Sequence, residues 1–384
     1  MHTIFITGAT GNLGSRTLVE FLLNTDARCV VLVYAPNLSD AEEQIRKVLS
    51  FWNVEWDVVH DRLTVLCGDT TQKMLGLDSS IFDSLSHTVT HIIHCAAYFK
   101  LDMSLEDARR SIVEATENVA MLGIEATKNQ VFKHFTYISS LDAVGMQEGT
   151  IYETFFDISQ LRFLNTYQQA KAEAESYLHS LFLTKQFPIT VVRPSMLVGD
   201  AQTGKIINPQ SLYHIIQDMF LKPPSILLPG RNFRIDPMPI NFLAHGMRHM
   251  YDAPETCGRV YHFVAGSNHN ITIPKFIDLL QTIYYEQLGI RIKKPIFIAP
   301  LLPYIFMTIL YTFLWGEPKR KVKEQRDMIR YFFLNAKPDN AQMKAFMESR
   351  GVEIPNITEY LPTLCAYIIQ TQKLPVSLYK TPKT

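Results

Sequence analysis

The sequence predicts an α/β fold, a doubly wound parallel sheet with a smaller, mostly helical C-terminal lobe. Short apolar runs alternate with helical patterns through the first 200 residues, and such nearly continuous hydrophobicity is typical of parallel strands covered on both faces. A glycine-rich turn joins the first run to the first helical pattern, as in Rossmann-type sheets. The runs are 2–7, 29–34, 63–67, 90–95, 134–139 and 189–193, and the helical patterns are 15–23, 41–52, 107–127 and 167–183.

The pattern changes after residue 195, where proline and glycine become frequent. We therefore assign residues 1–200 to a dinucleotide-binding domain. A helical pattern at 240–251 and an apolar run at 259–265 predict that residues 236–266 return to this domain. Residues 201–235 and 267–384 are assigned to a substrate-binding lobe.

Composition narrows the class of protein. Of 384 residues, 47% are hydrophobic, which allows a large core, and the 37 basic residues equal the 37 acidic ones, which argues against nucleic acid as a partner. The five cysteines are scattered without a C-x-x-C pair, as expected of buried thiols in a reducing compartment. An apolar strand begins at residue 2 and leaves no room for a signal peptide, so we expect a cytoplasmic protein.

The first turn predicts a nucleotide site. Gly8, Gly11 and Gly14 form G-x-x-G-x-x-G between a strand and a helix. Glycines there permit a tight turn and close approach of the backbone to a pyrophosphate, and the helix N-terminus offers N–H groups and a positive dipole end. The residues assigned to this part of the cofactor site are Thr7, Gly8, Thr10, Gly11, Asn12, Leu13 and Gly14.

The second strand bears on the choice of cofactor. It ends at Tyr34 without the acidic residue that holds the ribose hydroxyls of NAD, so NADP(H) is favoured over NAD(H), and Arg46 on the next helix is the candidate for the 2′-phosphate. Gly68 and Asp69 follow the third strand, where a carboxylate can meet the adenine. A helix N-cap is the alternative role for Asp69. The small side chains of Ala96 and Ala97, after the fourth strand, leave room for the nicotinamide ribose.

The strongest catalytic signal is Tyr167 four residues before Lys171, with Ser140 at a strand end 27 residues upstream of the tyrosine. Positions i and i+4 share a helix face, so the ammonium is expected beside the phenol. A nearby positive charge lowers the pKa of a phenol from about 10 and makes it a better proton donor or acceptor at neutral pH.

In this combination the chain resembles the extended short-chain dehydrogenase/reductase superfamily, and within it the thioester reductases and fatty acyl-CoA reductases of the male-sterility-type NAD-binding group. The resemblance covers about residues 1–265. The stretches that carry it are 7–14 (TGATGNLG), 68–69 (GD), 75–77 (LGL), 92–97 (IIHCAA), 137–140 (YISS), 165–175 (NTYQQAKAEAE) and 191–195 (VVRPS).

The resemblance implies an NAD(P)H-dependent reductase of a fatty acyl or related thioester, giving an aldehyde or alcohol. Tyr167 would be the acid, Lys171 its activator and a ribose ligand, and Ser140, preferred over Ser139, a second donor to the substrate oxygen. Tyr167, Lys171 and Pro194 join the implied cofactor-binding set. We expect a free-standing reductase without a preceding adenylation or carrier domain, which would take its thioester from coenzyme A or from a carrier in trans.

The sequence departs from the family pattern at two places. Tyr34 stands where these reductases usually carry an arginine, which weakens the inference of NADP. Residues 112–116 (IVEAT) replace the family's Asn-Val-x-Gly-Thr, which removes an asparagine often placed near the active site.

Other functions remain open at this point. The same fold serves nucleotide-sugar epimerases or dehydratases and hydroxysteroid-type dehydrogenases, and a non-catalytic dinucleotide-binding protein is a third interpretation. No metal is predicted, because His245 and His249, although spaced i, i+4, lack a third ligand.

An uncharged apolar segment at 296–315 lies between basic flanks. Three prolines crowd its first part and leave a stretch of twelve residues, about 18 Å of helix, which is too short to span a bilayer. It is interpreted as an interfacial membrane anchor, a wall for an acyl chain, or core.

Overall fold

The structure is a computed structural model that describes residues 2–98, 103–210, 212–221, 226–227, 233–266, 270–289, 291, 294–297, 300–331 and 333–371. Parts of the predicted substrate lobe lie outside these residues, as do residues 298–299 of the apolar segment.

The elements alternate through the first half of the chain as predicted. The strands are β1 (Thr3–Thr7), β2 (Arg28–Val33), β3 (Leu63–Cys67), β4 (His91–His94), β5 (His134–Ile138), β6 (Gly149–Ile151), β7 (Ile189–Pro194), β8 (Met196–Val198), β9 (Ile226–Leu227), β10 (Arg234–Ile235), β11 (Pro237–Pro239), β12 (Arg259–Phe263), β13 (Ile271–Thr272), β14 (Ile296–Phe297) and β15 (Ala336–Pro338).

Helices account for most of the remainder. They are α1 (Asn12–Asn24), α2 (Leu38–Phe51), α3 (Trp56–Val59), α4 (Ser79–Ser86), α5 (Leu105–Ala108), α6 (Ala115–Lys128), α7 (Thr166–Lys185), α8 (Leu212–Leu221), α9 (Ile240–Met250), α10 (Ile273–Leu288), α11 (Leu301–Phe313), α12 (Gly316–Tyr331), α13 (Ala341–Glu348) and α14 (Ile357–Thr371). A π-helix, Arg109–Glu114, joins α5 to α6, and 3₁₀ turns cover His60–Arg62, Lys73–Gly76, Leu141–Val144, Ile158–Gln160 and Pro254–Thr256.

Seven strands form one parallel sheet in the order β12-β7-β5-β4-β1-β2-β3. This confirms the predicted Rossmann-type doubly wound fold. The chain runs outward from β1 to β3 and then resumes on the other side of β1 with β4. The order reverses between β1 and β4, and ligands of such sheets bind at that reversal, beyond the carboxyl ends of the strands.

Two apolar layers cover the sheet, which explains why its strands are nearly continuous in hydrophobicity. One layer consists mainly of α1, α2 and α9, and its buried residues include Phe21, Ile45 and Met247. The other consists mainly of α6 and α7, with Val119 and Leu178 in its core. A third apolar cluster lies between α8, α10 and α14.

Strand β12 lies beside β7, and α9 packs on α1. A further helix packs on the same side of the sheet, which the sequence analysis does not predict. Met343 and Met347 of α13, a helix assigned to the lobe, are buried in the same core layer as α9. Residues 341–348 therefore belong to the covering of the sheet.

A short connection ties the segment after Ser140 to the C-terminal part of the chain. Strand β6 pairs in parallel with β15. Just beyond β6, the buried carboxylate of Glu153 accepts hydrogen bonds from the main-chain N–H groups of His262 (2.8 Å) and Met343 (3.1 Å), at the start of α13. Burial raises the pKa of Glu153 to about 7.

The apolar segment 296–315 comprises β14, α11 and the residues that follow it. No side chain of α11 is buried, so the interpretation as core is wrong for this helix, whereas Phe297 of β14 packs against the third apolar cluster. Within the described part of the chain, no helix is long and apolar enough to cross a membrane.

Candidate active site

The glycine turn is built so that no side chain stands between the backbone and a ligand at the N-terminus of α1. Gly8 has φ +73°, and a Cβ there would lie 2.8 Å from the main-chain nitrogen of Ala96. A Cβ on Gly14 would lie 2.1 Å from the carbonyl oxygen of Gly8. At Gly11 the nearest atom would be 3.3 Å away, so this position is less restricted. The turn therefore fits a dinucleotide pyrophosphate at the helix N-terminus.

The other residues of the turn hold it in place. The hydroxyl of buried Thr7 lies 2.7 Å from Nδ1 of His94 and accepts a hydrogen bond from the Ala96 N–H at 3.2 Å, which joins the ends of β1 and β4. The amide side chain of Asn12 makes two hydrogen bonds with the main chain of Asn208, at 3.0 and 2.8 Å. Leu13 is buried in the core, while Thr10 is half-buried beside the turn.

The end of β2 differs from what the sequence analysis expects. Tyr34 lies beyond the strand with 79% of its surface exposed. Arg46 is the ninth residue of α2, about 12 Å along the helix from its start. Its guanidinium stacks on the ring of Trp56, 3.8 Å from the centroid, beyond the far end of the helix. In this structure the Arg46 guanidinium is thus engaged by Trp56.

The loop after β3 is tightly folded around Asp69. The Asp69 carboxylate accepts hydrogen bonds from the N–H and the hydroxyl of Thr71, both at 2.8 Å, so it caps a local turn, and its own N–H donates to the carbonyl of Leu75 at 2.8 Å. Met74 and Leu75 have φ values of +52° and +62°. Two adjacent left-handed non-glycine residues are strained, and such strain is concentrated at functional sites. The loop encloses Gly68, where a Cβ would lie 2.5 Å from the Leu75 carbonyl.

On the other side of the sheet reversal, Ala96 and Ala97 follow β4, with Ala97 exposed at the surface. Pro194 is buried at the end of β7, paired with Phe263 of β12.

Ser140 and Tyr167 meet in the structure. Asn165 caps α7 by accepting a hydrogen bond from the Gln168 N–H, and this places Tyr167 in the first turn of the helix. The phenol is hydrogen-bonded to the Ser140 side chain, and Ser140 Oγ also accepts from the N–H of Asp142 at 3.1 Å. Two hydroxyl groups thus lie side by side beyond the carboxyl end of β5.

Ser139 faces the other way. It is buried and donates a hydrogen bond to the carboxylate of Glu175. Glu175 in turn holds Arg193, whose Nε lies 3.0 and 3.1 Å from the two carboxylate oxygens, with both side chains almost wholly buried. This ion pair fixes α7 against the ends of β5 and β7. Sequence reasoning missed it, and the geometry supports the preference for Ser140.

Asp142 is a further residue that sequence reasoning missed. Its side chain is hydrogen-bonded to those of Ser140 and Gln168, and burial raises its pKa. Its position two residues after Ser140, in a 3₁₀ turn, was the available signal.

Lys171 lies one helical turn beyond Tyr167 and is buried. Its ammonium donates hydrogen bonds to the carbonyl of Ile138 at 2.9 Å and to the hydroxyl of Tyr137 at 3.4 Å. Burial lowers the pKa of Lys171 to about 8, against the opposing effect of the nearby Glu175 carboxylate.

The predicted lowering of the Tyr167 pKa is not seen in this structure. Burial raises the pKa of Tyr167 to about 12, and the carboxylate of Asp142 adds to the shift. The phenol therefore holds its proton firmly at neutral pH.

The Tyr137 hydroxyl that Lys171 contacts belongs to a buried group of polar side chains. The Tyr137 hydroxyl is hydrogen-bonded to Thr116, whose hydroxyl lies 3.2 Å from Nε2 of His94. His94 is buried, and burial lowers its pKa to about 3, so it is neutral. Thr116 follows the π-helix 109–114, and π-helical turns are often found at functional sites.

His245 and His249 lie on α9 at the surface. Nδ1 of His245 is 3.2 Å from Glu20, and Nε2 of His245 lies 3.2 Å from Nε2 of His249. Arg248 pairs with the same glutamate at 2.9 Å. The two histidines belong to an ion-pair cluster that joins α9 to α1.

The fold and the candidate active site together define the class of protein. A glycine turn at the sheet reversal, a strand-end serine and a Tyr-x-x-x-Lys helix are the features of NAD(P)-binding oxidoreductases of the extended short-chain type. Residues 6–247 match the NAD-binding family described as male sterility protein. The chain belongs to this family.

Comparisons with known proteins agree with that placement. The chain is 27% identical over 270 residues to aldehyde reductase lnaA of Aspergillus flavus, a match that covers 68% of this chain and 25% of that protein. The chain thus spans about a quarter of the relative's length.

Two solved structures share the fold over nearly the whole chain. The terminal R domain from the myxalamid PKS-NRPS biosynthetic pathway superposes with a TM-score of 0.77 at 20% identity, covering 98% of this chain and 92% of that one. A thiolation-reductase di-domain from an archaeal non-ribosomal peptide synthetase gives a TM-score of 0.74 at 20% identity, covering 97% and 76%.

Proposed function

We propose that this chain is an NADPH-dependent reductase of fatty acyl or related thioesters, and that the thioester is carried by coenzyme A or by a carrier protein. The observation that carries the proposal is the pair of adjacent hydroxyls, Ser140 and Tyr167, backed by Lys171 in a chain of the male sterility family. The fold shared with two reductase domains of peptide synthetase systems, one of them joined to a thiolation domain, supports a carrier-bound thioester as substrate.

The chain's residues have distinct parts in such a reaction. When bound, the cofactor supplies a hydride to the thioester carbonyl carbon, and the carbonyl oxygen then gains negative charge. The hydroxyls of Ser140 and Tyr167 are placed to donate hydrogen bonds to that oxygen. Tyr167, with a pKa near 12, is protonated and can give its proton to it. Lys171 is held by the Ile138 carbonyl one helical turn beyond Tyr167 and, when charged, favours the transfer of negative charge to the phenol.

The overall balance gives a direct assay. A thioester, NADPH and one proton become an aldehyde, a thiol and NADP⁺, while a second hydride carries the aldehyde to an alcohol. With a long-chain acyl-CoA, we expect one thiol to be released for each NADPH consumed if the aldehyde is the product. If an alcohol is the product, we expect one thiol for every two NADPH consumed. Thiol is measured with a chromogenic disulfide and NADPH by its absorbance. Consumption of NADPH on a sterol or a UDP-sugar without thiol release would contradict the thioester assignment and leave the reductase class standing.

We expect NADPH to bind more tightly than NADH, because no carboxylate stands at the end of β2 to repel a 2′-phosphate. Tyr34→Asp should reverse the preference, weakening NADPH by about tenfold, since a new charge at this exposed site acts through water. Protein fluorescence titrations with both dinucleotides measure this.

Arg46→Ala is the matched control. Because the guanidinium stacks on Trp56, its removal should leave the NADPH affinity unchanged. A wild-type preference for NADH would refute the prediction. Loss of NADPH affinity in Arg46→Ala would show that the arginine leaves Trp56 to bind the phosphate.

A further inference from the structure

Apart from Thr312, the outward face of α11 is apolar, and it lies in solvent. Its apolar side chains are between 44% and 68% exposed. They recur one and four residues apart, so they share one side of the helix. The members of this face are Leu301, Leu302, Ile305, Phe306, Ile309 and Phe313.

A patch of this kind is uncommon on a protein that stays in water, where contiguous apolar patches rarely exceed a few hundred Å². Trp315, directly after the helix, is 80% exposed and extends the face. Because these side chains project away from the protein, they do not form a wall inside it. The interpretation of the segment as a wall for an acyl chain therefore does not account for this face.

The next helix is strongly basic. α12 carries six lysine and arginine residues and three acidic ones, in a chain whose basic and acidic residues are equal in number overall. The two helices pack together as a hairpin, residues 301–331, in which Lys319 and Arg326 lie 4.6 and 4.7 Å from the ring centroid of Tyr311. The basic residues are Lys319, Arg320, Lys321, Lys323, Arg326 and Arg330.

We propose that the hairpin 301–331 docks this protein on anionic lipid bilayers. The apolar face of α11 would lie at the boundary of headgroups and acyl chains, with the basic residues of α12 against the lipid phosphates. The thirteen residues of α11 extend only about 20 Å, so the helix lies in the interface. A second copy of the chain fits less well, because a symmetric contact would bring two basic helices together.

Docking through the hairpin sets the active site close to the lipid surface. The end of α12 contacts the segment that follows Ser140, with Nη2 of Arg330 3.6 Å from Sδ of Met146. The docking surface does not depend on the proposed thioester activity.

The test is flotation of the full chain with vesicles. With phosphatidylcholine vesicles that also contain phosphatidylglycerol, we expect the wild type to float, and to float less at high salt or with phosphatidylcholine alone. Phe306→Glu/Ile309→Glu should remain with the soluble protein. Both positions are exposed, so the variant should fold. Val58→Glu/Leu183→Glu, which alters apolar residues that are 70% and 66% exposed elsewhere on the surface, is the matched control and should float like the wild type.

The charge contribution is tested separately. Lys321→Gln and Lys323→Gln, both at exposed positions, should each lower the partition coefficient onto anionic vesicles by about fivefold. A wild type that does not float, or glutamate variants that float as well as the control, would overturn the proposal. The proposal would also be overturned if the wild type were a dimer in light scattering and stayed off the vesicles, and if Phe306→Glu/Ile309→Glu converted this dimer to a monomer. The apolar face would then be a contact between two copies of the chain.

Discussion

Replacement of Tyr167 by phenylalanine is expected to lower kcat by about 10²–10⁴, the usual contribution of a positioned general acid. The phenol is hydrogen-bonded to Ser140 and makes its important bond to charge that develops in the transition state, so the loss should fall on kcat more than on KM. Dinucleotide binding should change little, because the glycine turn lies on other elements. Initial rates of NADPH oxidation measure kcat and KM, and fluorescence titration measures the affinity for the dinucleotide.

Tyr177→Phe provides a control on the same helix. Tyr177 is half-buried on α7, ten residues beyond the catalytic position, and its hydroxyl lies outside the Ser140 cluster. Its loss should leave kcat nearly unchanged. Full activity in Tyr167→Phe would refute the assignment of the acid, whereas an equal loss in both variants would point to disturbance of the helix.

Glu175→Ala is expected to lower the free energy of unfolding by about 3–5 kcal/mol. The substitution leaves the guanidinium of Arg193 buried without its carboxylate, and it also removes the acceptor of the Ser139 hydroxyl. The midpoint and slope of urea unfolding, followed by far-UV circular dichroism, measure the loss.

Glu173→Ala offers a sharp comparison two residues away. Glu173 pairs with Arg109 at 2.7 Å, yet the arginine is about half exposed, so water compensates for the lost partner and stability should remain close to that of the wild type. A double replacement, Glu175→Leu with Arg193→Met, should recover much of the loss, because it removes both buried charges. Equal stability of Glu175→Ala and Glu173→Ala would contradict the importance of the buried pair.

Local patterns in the sequence predict the sheet and several residues of the candidate active site. The alternation of apolar runs and helical patterns predicts a doubly wound parallel sheet, because crossover connections between parallel strands have a fixed hand. Gly8 and Gly14 are recognisable because only glycine fits where a Cβ would meet main-chain atoms. Tyr167 comes to Ser140 because both stand at ends of elements that meet at one edge of the sheet.

Contacts between distant residues are not readable in this way. The pair of Glu175 and Arg193 looks like ordinary charge in the sequence, and only the packing of α7 on the sheet shows that both are buried. Arg46 is a candidate ligand of the 2′-phosphate because it lies on the helix after β2. Its guanidinium stacks on the ring of Trp56, a contact that the sequence does not predict. The raised pKa of Tyr167 likewise depends on its burial and, in addition, on the nearby Asp142 carboxylate, and both arise only in the folded chain.

The contacts of Glu153 can form only late in the synthesis of the protein. β6 and Glu153 acquire their partners, β15 and the start of α13, only after about 190 further residues have been translated. At the usual rates of synthesis this delay is roughly 10 to 40 seconds. A nascent chain can thus form its glycine turn and first strands while the segment after Ser140 still lacks its neighbours. We therefore expect the nascent chain to become able to bind a dinucleotide before it becomes able to catalyse a reaction.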